Sequence, residues 1–284
     1  MSGAQGFWRQ SWRRLRRQRM TLAAALGLAL IMLASLLLPL FSPYDYFTPH
    51  FELLSRGPML AGGHILGTDP LGRDLLVRVM WGCRISLAVG IAASLVSVLI
   101  GVAWGATAGY VGGPTDALMM RAVDILYSVP FVPFVIVLTV LFGRELWLIF
   151  LAIGVVSWLD IARIVRGETL SLKQREFIEA ARVSGVRGAA IIARHIVPNL
   201  IGIVIIYATL AIPTVILFEA FLSFLGLGVQ SPLASLGSLV ADGSSQMQSH
   251  PHLLIVPAAF LAAIIYCFNY LGDGLRDALD PRER

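Results

Sequence analysis

Chemically active side chains are sparse in this sequence of 284 residues, of which 57% are hydrophobic and only 14% are charged. Glu219, in the segment ILFEAFLSF, is the only carboxylate well inside a long apolar run. An ionisable group in such a run is costly and commonly marks the path of a substrate or proton. Glu219 is therefore a candidate pathway residue, together with Pro213 earlier in the same run. The alternative is a carboxylate satisfied against a partner helix, or one nearer the end of the run.

The sequence lacks the common motifs of nucleotide-hydrolysing and hydrolytic enzymes. A phosphate-binding loop G-x-x-x-x-G-K-[ST] needs a glycine before its lysine, and the one lysine, Lys173, follows Leu172. No histidine begins an H-E-x-x-H zinc motif, and no serine lies in G-x-S-x-G. We therefore expect a chain that is not an enzyme, has no catalytic residues and holds no cofactor of its own.

The histidines and cysteines do not form a metal-ligand pattern. His250 and His252 flank a proline, which makes a poor site by itself. Cys83 and Cys267 lie far apart in the sequence, so we expect neither a disulfide nor a metal site. Both cysteines are expected to be small packing residues.

The apolar composition predicts a membrane protein, since a soluble domain with a mean hydropathy of +0.78 could not cover its surface with polar groups. Six segments are long enough to cross a bilayer as helices, which takes about 20 residues each. The predicted spans are Met20–Leu40, Ile85–Tyr110, Ile125–Phe142, Leu146 to about Val165, Leu200–Leu227 and Leu253–Leu271. The fourth reaches full length only by including Asp160 and Arg163.

Basic residues predict the orientation of these spans. Six arginines from Arg9 to Arg19 precede the first span, and the positive-inside bias places them and both termini in the cytoplasm. No small-residue cleavage site follows, so this span is predicted to be an uncleaved anchor in the lipid bilayer. The net charge of +5 then reflects cytoplasmic loops, and nucleic acid is not an expected partner.

This topology divides the chain into four parts. They are a basic cytoplasmic tail (1–19), a first helix with an extracytoplasmic segment (20–84), a five-helix core (85–272) with a cytoplasmic loop (166–198), and a cytoplasmic tail (273–284).

The cytoplasmic loop between the fourth and fifth spans contains the stretch EFIEAARVSGVRGAAIIARHIVPN. Its composition predicts a helix over residues 175–184 that ends at Gly185, because glycine tolerates the left-handed conformation of a helix stop. A second helix is predicted from Arg187, closed or kinked by Pro198, with Asn199 capping the next span.

The first of these helices carries a short, mostly small apolar face. Phe177, Ala180, Ala181 and Ser184 recur at spacings of three or four residues and so share one side. Such a face suits insertion into a shallow groove of a partner that supplies energy to this chain. The alternative is an amphipathic hairpin that rests on lipid headgroups through its arginines.

At these residues the sequence resembles the permease subunits of ATP-binding-cassette importers. Their loop reads E-A-A, three residues, glycine, nine residues and I-x-L-P, and here Glu179, Ala180, Ala181, Gly185 and Pro198 stand at that spacing. Val197 replaces the leucine, and His195 stands where the general pattern has isoleucine.

Three further segments resemble the peptide and nickel branch of this family, and especially the oligopeptide permease C subunits. They are HILGTDPLGRDLLVRVMWGCRISL (His64–Leu87), FLSFLGLG (Phe221–Gly228) and CFNYLGDGLRDALDP (Cys267–Pro281). One departure is Leu236, where the family usually has tryptophan.

The resemblance implies an all-α polytopic membrane protein with six transmembrane helices, of the type I ABC importer permease kind, in the bacterial inner membrane. It would move peptides, paired with a homologous permease, two ABC ATPase subunits that bind ATP and Mg, and an extracytoplasmic peptide-binding protein. The implied ATPase-docking residues are Glu179, Ala180, Ala181, Arg182, Gly185 and Pro198. The alternatives are a permease for nickel or another small solute, and a secondary transporter that uses Glu219.

Two outer segments have open interpretations. Asp69, Arg73 and Asp74 are candidate contacts for the binding protein, or they form a structured turn with internal ion pairs. Residues 226–251 form either a partly re-entrant element at the outer mouth or a long connector.

Overall fold

A computed structural model describes residues 13–59, 63–143 and 146–279, and the regular structure within these ranges is helical. The helices are α1 (Arg19–Phe41), α2 (Leu75–Val111), α3 (Gly113–Ser128), α4 (Phe131–Phe142), α5 (Leu146–Leu172), α6 (Glu176–Val183), α7 (Gly188–Ile191), α8 (Val197–Phe224), α9 (Leu236–Ser244) and α10 (His252–Leu279). A short 3₁₀ turn covers Phe51–Leu53, and a π-helical segment covers Ile192–Ile196 between α7 and α8.

Helix α2 is the longest element, with 37 residues, and it begins ten residues before the predicted span at Ile85. Asp74 caps its N-terminus, where its carboxylate accepts a hydrogen bond from the Val77 N–H at 2.8 Å. This cap satisfies one of the helix's orphan donors. The helix therefore begins in the segment predicted to be extracytoplasmic, and the start of the membrane span at Ile85 stays a prediction.

Helices α2 and α5 run parallel and in close contact along a stripe of glycines. In order along α2, Gly101, Gly105 and Gly109 face Ile161, Val165 and Thr169 of α5. A Cβ at any of the three glycines would collide with these neighbours. Small residues at four-residue spacing let two membrane helices approach closely. This G-x-x-x-G-x-x-x-G stripe was not predicted from the sequence.

The predicted third span, Ile125–Phe142, is divided between α3 and α4, which meet at an angle of 81°. Val123 of α3 shares a hydrophobic cluster with Ala162, in the second half of α5. Val135 of α4 shares a cluster with Ile85 and Val89, in the first half of α2. The bent pair thus carries the chain back along α2 and α5, as two parallel neighbours require.

Four helical segments among the described residues are long and apolar enough to span a membrane, and the bent pair would make a fifth. The four are α1, α2, α10 and the continuous segment Gly188–Phe224. Helix α5 lies alongside α2 over much of its length. This arrangement is compatible with six crossings, although the count of six stays a prediction.

Helix α1 lies at the edge of the bundle, held against α2 and α10. Pro39 has no N–H, so the Ser35 carbonyl four residues earlier loses its helical donor. The Arg84 guanidinium replaces that donor, with Nη2 2.7 Å from the Ser35 oxygen. An arginine of α2 thus fastens α1 at the point where its own hydrogen-bond ladder is broken.

Helix α8 runs antiparallel to α2 and completes the core. Ile216 lies over Gly90 near the start of α2, whereas Leu200 shares a cluster with Ala106 near its end. The remaining long helix, α10, packs against α8 with Leu210 filling the space beside Gly272.

Candidate coupling surface and buried carboxylate

Helix α6 ends in a glycine stop. Gly185 has φ +76°, the left-handed region that favours glycine. Its N–H donates to the Arg182 carbonyl at 3.1 Å, and the Val186 N–H donates to the Ala181 carbonyl at 3.1 Å. This pair of bonds is the Schellman motif, and it satisfies carbonyls that the helix end would leave free. The predicted helix and its stop at Gly185 are confirmed.

The two faces of α6 have different roles. Ile178 is fully buried and Ala181 is 9% exposed, and both join a cluster that includes Ile191 of α7. Phe177 and Val183 are 43% and 84% exposed on the outer side. The predicted shared face was therefore wrong for Ala181, which packs inward three residues after Ile178. Glu179, Ala180 and Ser184 remain exposed with Phe177.

Arg182 points back toward the bundle. Its guanidinium lies 5.6 Å from the ring centre of Tyr110, at the end of α2, and the Lys173 ammonium lies 5.9 Å from the same ring. Cation–π contacts of this kind are worth about 0.5–1 kcal/mol at exposed sites. Arg182 therefore joins α6 to α2. Gly188 of α7 also lies close to this tyrosine, since a Cβ at Gly188 would lie 3.1 Å from the ring.

The segment between α7 and α8 is continuous and does not end at Pro198. The chain passes through the π-helical segment Ile192–Ile196, and the Val197 N–H donates to the Ile192 carbonyl five residues earlier. Pro198 lies in the first turn of α8, where its missing N–H is tolerated. The Asn199 side chain donates to the His195 carbonyl at 2.6 Å. The helix is therefore not closed at Pro198, whereas a kink there stays a prediction, and the predicted cap by Asn199 was wrong.

Two ion pairs, which the sequence analysis did not predict, fasten α3 to α5. Arg166 donates to both carboxylate oxygens of Asp116, at 2.5 and 2.6 Å. Arg163 bonds to Asp124 at 2.8 Å, with a more exposed geometry. Partners 50 and 39 residues apart leave no local signal in the sequence.

Glu219 is fully buried, with 0% of its surface exposed. Ser86 of α2 donates to Oε2 at 3.1 Å, and Ser223 donates to Oε1 at 2.7 Å. The Ser86 oxygen in turn accepts the Leu236 N–H at 3.1 Å. Within the described residues, no basic side chain pairs with this carboxylate. The geometry agrees with a carboxylate satisfied against neighbouring helices, and a pathway role stays a prediction.

Pro213 is buried inside α8. Without an N–H it leaves the Thr209 carbonyl, four residues earlier, without its helical donor. The side chain of Pro213 packs within the bundle. The exposed residues nearest to it on α8 are Thr214 and Leu217.

The extracytoplasmic segment is organised by a buried acidic centre. Asp69 Oδ1 accepts the N–H groups of Leu71 and Arg73 at 2.8 and 2.9 Å. Its Oδ2 accepts the Arg73 Nε–H at 2.7 Å and also contacts Arg78. Asp74 Oδ2 lies 2.8 Å from His64 Nδ1. The structure thus places the buried Asp69, Arg73 and Asp74 in a structured turn, and a contact with the binding protein stays a prediction.

Comparison with known proteins identifies the family. Residues 97–284 match the family described as "Binding-protein-dependent transport system inner membrane component". The chain belongs to this family of inner membrane transport components. Residues 6–58 match the "N-terminal TM domain of oligopeptide transport permease C". The predicted resemblance to ABC importer permeases is confirmed.

Individual relatives cover nearly the whole permease. The chain is 53% identical to the oligopeptide transport system permease protein OppC of Haemophilus influenzae, over 98% of this chain and 89% of the relative. It is 52% identical to OppC of Escherichia coli K12, over 98% and 92%. It is 40% identical to the dipeptide transport system permease protein DppC of Bacillus subtilis, over 98% and 87%.

A solved structure shares the permease fold. The "inward facing conformations of the MetNI methionine ABC transporter" include a chain that matches with a TM-score of 0.57 and 20% identity. The match covers 72% of this permease and 96% of that chain. The predicted all-helical ABC importer permease fold is confirmed.

The segment 226–251 of the permease contains a defined helix. Helix α9 spans Leu236–Ser244 and begins with a capping box, in which Ser235 and Ser238 each bond to the other's backbone N–H. This arrangement is typical of a defined helix start. The segment is therefore more than a connector.

Metal-binding clusters are not found among the described residues of the permease. Cys83 and Cys267 are both free and buried, as expected for packing residues. A Cβ at Gly27 of α1 would lie 3.3 Å from the Cys267 sulfur, so this thiol fills the space between α1 and α10.

Proposed function

We propose that this chain is the transmembrane permease subunit of an ATP-binding-cassette importer that carries peptides into the bacterial cell. The observation that carries the proposal is identity above 50%, over nearly full length, to oligopeptide permeases of two bacteria. Oligopeptides are proposed as the cargo because the relatives with identity above 50% are oligopeptide permeases.

The energy for transport comes from partner subunits. The one lysine of this chain is not in a phosphate-binding loop, so two ABC ATPase chains bind the ATP and Mg. A homologous second permease completes the pathway, and an extracytoplasmic binding protein delivers the peptide. Both termini of this chain lie in the cytoplasm.

The outer face of α6 is the proposed contact with an ATPase subunit. Phe177, Ala180 and Val183 are exposed beside Glu179, and a short, stiff helix with small and apolar side chains fits a groove. Ala181, Arg182 and Gly185 hold this helix in place by packing, by contact with Tyr110 and by the helix stop. Pro198 lies in the first turn of α8, on the continuous helical path that leads from α7 into the membrane helix.

Transport then follows from a shift between inward-open and outward-open populations. Closure of the ATPase dimer pulls the docked α6 helices, and the continuous path into α8 carries this motion into the membrane. Moving an equilibrium from 1:99 to 99:1 takes about 5.5 kcal/mol of differential binding. A coupling element with little internal freedom makes this energy available to the membrane helices.

Reconstitution tests the proposal. The chain, its sister permease, both ATPases and the binding protein are placed in proteoliposomes, and uptake of a labelled oligopeptide is measured with and without ATP. We expect ATP-dependent uptake that is lost when either permease is omitted. Proton-coupled uptake by this chain alone, or ATP-driven uptake of nickel in place of peptide, would contradict the proposal.

A further inference from the structure

The buried carboxylate belongs to a network that joins three helices. Glu219 lies on α8, Ser86 on α2, and Ser235 at the start of α9, with Ser223 Oγ 3.3 Å from Ser235 Oγ. The Ser86 oxygen accepts the Leu236 N–H, so its own proton is free to reach Glu219. The hydroxyls of Ser86 and Ser223 are therefore each oriented by the Glu219 carboxylate on one side and by the start of α9 on the other.

The start of α9 depends on this network. Ser235 accepts the Ser238 N–H at 3.0 Å, and the first helical N–H, that of Leu236, goes to Ser86. The positive end of the α9 dipole thus lies beside Glu219, where negative charge is favourable. Leu236 itself is fully buried in a hydrophobic cluster with residues of α2 and α10.

Backbone packing leaves α9 no room to shift. A Cβ at Gly82 of α2 would meet the backbone of Ser235 and Leu236 at 3.2 Å. A Cβ at Gly237 would collide with the backbone of Ala220, next to Glu219 on α8, and one at Gly243 with the backbone of Leu253. Close approaches on three sides fix the position of α9 between α2, α8 and α10.

We infer that Glu219 is a positioning residue that anchors α9 to the outer ends of α2 and α8, so that the three move as one body during transport. Detachment of α9 would break the bond from the Leu236 N–H to Ser86 and the contact between Ser235 and Ser223, so the two serines that donate to Glu219 would lose the groups that orient them. The inference rests on the proposed transport function only for its uptake readout, since the anchoring itself can be measured without cargo.

A direct role in cargo or proton transfer does not fit the surroundings of Glu219. The side chain is fully buried, and both oxygens already accept hydroxyl protons, one from Ser86 of α2 and one from Ser223 of α8. Glu219 serves as a hydrogen-bond acceptor, and glutamine can replace it by accepting from one serine at its oxygen and donating its NH2 to the hydroxyl oxygen of the other.

The test compares Glu219→Gln with Glu219→Ala in the assembled transporter in lipid nanodiscs. Hydrogen exchange of the amides at residues 235–240 reports the anchoring, and uptake in proteoliposomes reports transport. Glutamine keeps a carbonyl acceptor, so we expect unchanged exchange and uptake within about threefold of wild type. Alanine removes the acceptor, so we expect these amides to exchange at least about tenfold faster, with uptake reduced at least about tenfold.

Two serines of α2 give a matched pair of milder variants, should Glu219→Ala fail to assemble. Ser86→Ala removes a donor to Glu219 and the acceptor for Leu236, and it should accelerate exchange at Leu236. Ser94 is equally buried on the same helix, and its Oγ has no hydrogen-bond partner in the described part of the chain. Ser94→Ala should therefore leave exchange unchanged.

Two results would overturn the inference. Loss of uptake in Glu219→Gln with normal α9 exchange would show that the charge itself takes part in transport. Unchanged α9 exchange in both Glu219→Ala and Ser86→Ala would show that the network does not anchor the helix. Failure of wild-type peptide uptake would instead contradict the proposed function and leave the exchange result standing.

Discussion

The two ends of the bundle are built on opposite principles. The end predicted to be extracytoplasmic, called the outer end, buries its charges, as at Asp69 and Glu219. The end predicted to be cytoplasmic, called the inner end, exposes charged and apolar side chains on α6 and holds that helix through Ile178, Ala181 and the contact of Arg182 with one ring. The outer end thus satisfies its polar groups internally, whereas the inner end leaves side chains exposed where we propose that an ATPase subunit binds.

The largest effect is expected at the outer end. Asp69→Ala leaves the buried guanidiniums of Arg73 and Arg78 without their shared carboxylate. Breaking a buried ion pair by removing one partner costs about 3–5 kcal/mol, so we expect a large drop in the melting temperature of the purified chain. Glu179→Ala, which removes an exposed carboxylate at the inner end, is the control and should leave the melting temperature unchanged. Equal melting temperatures for both variants would abolish the contrast between the two ends.

A pair of substitutions on α6 separates inward packing from partner contact. Ala181→Asp puts a carboxylate into the cluster of Ile178 and Ile191, and an unpaired polar group there costs about 1–3 kcal/mol or more. Val183→Asp changes a residue that is 84% exposed and should cost almost nothing in stability. We expect both variants to abolish uptake and transport-linked ATP hydrolysis, but only Ala181→Asp to increase hydrogen exchange in α6. Normal uptake by Val183→Asp would refute a docking role for the outer face.

A third substitution concerns the end of α6. Gly185→Val forces a β-branched residue into φ +76°, which costs about 1–2 kcal/mol. Because a Cβ at this position meets no other atom, the effect is confined to the backbone. We expect the protein to remain in the membrane with uptake abolished. Gly185→Asn, which tolerates this conformation better, should retain part of the uptake, and equal loss in both would point to a cause other than backbone conformation.

The smallest effect is expected from Arg182→Ala. It removes the contact with the Tyr110 ring, worth about 0.5–1 kcal/mol, and Lys173 remains beside the same ring. We expect a modest decrease in uptake per ATP hydrolysed and no change in melting temperature. Tyr110→Leu should reproduce the decrease, whereas Arg175→Ala, on the same loop, should not. A complete loss of uptake in Arg182→Ala would mean that this residue contacts the ATPase directly.

Local signals explain what the sequence predicted well. The α6 helix and its stop at Gly185 depend on residues close together in the chain. The structured turn at Asp69 was also foreseen as one of two interpretations, because its partners lie within nine residues.

Long-range contacts explain what the sequence could not predict. Ser86 and Glu219 are separated by 133 residues, and Ser86 and Leu236 by 150, so no local pattern links them. The division of the third span and the continuity of the helix through Pro198 depend on neighbouring helices and on a π turn. Ala181 was assigned to the outer side of α6 because spacing alone does not show which side the bundle covers.

The parallel pairing of α2 and α5 has a consequence for biogenesis. Parallel helices cannot form as a simple hairpin, because the chain must first return across their length through α3 and α4. While the protein is being synthesised, the stripe of Gly101, Gly105 and Gly109 therefore faces lipid or an insertion factor until residue 172 has left the ribosome. Membrane insertion of this chain thus includes an interval in which the glycine stripe of its longest helix lacks the neighbour that later covers it, because that neighbour is encoded far downstream.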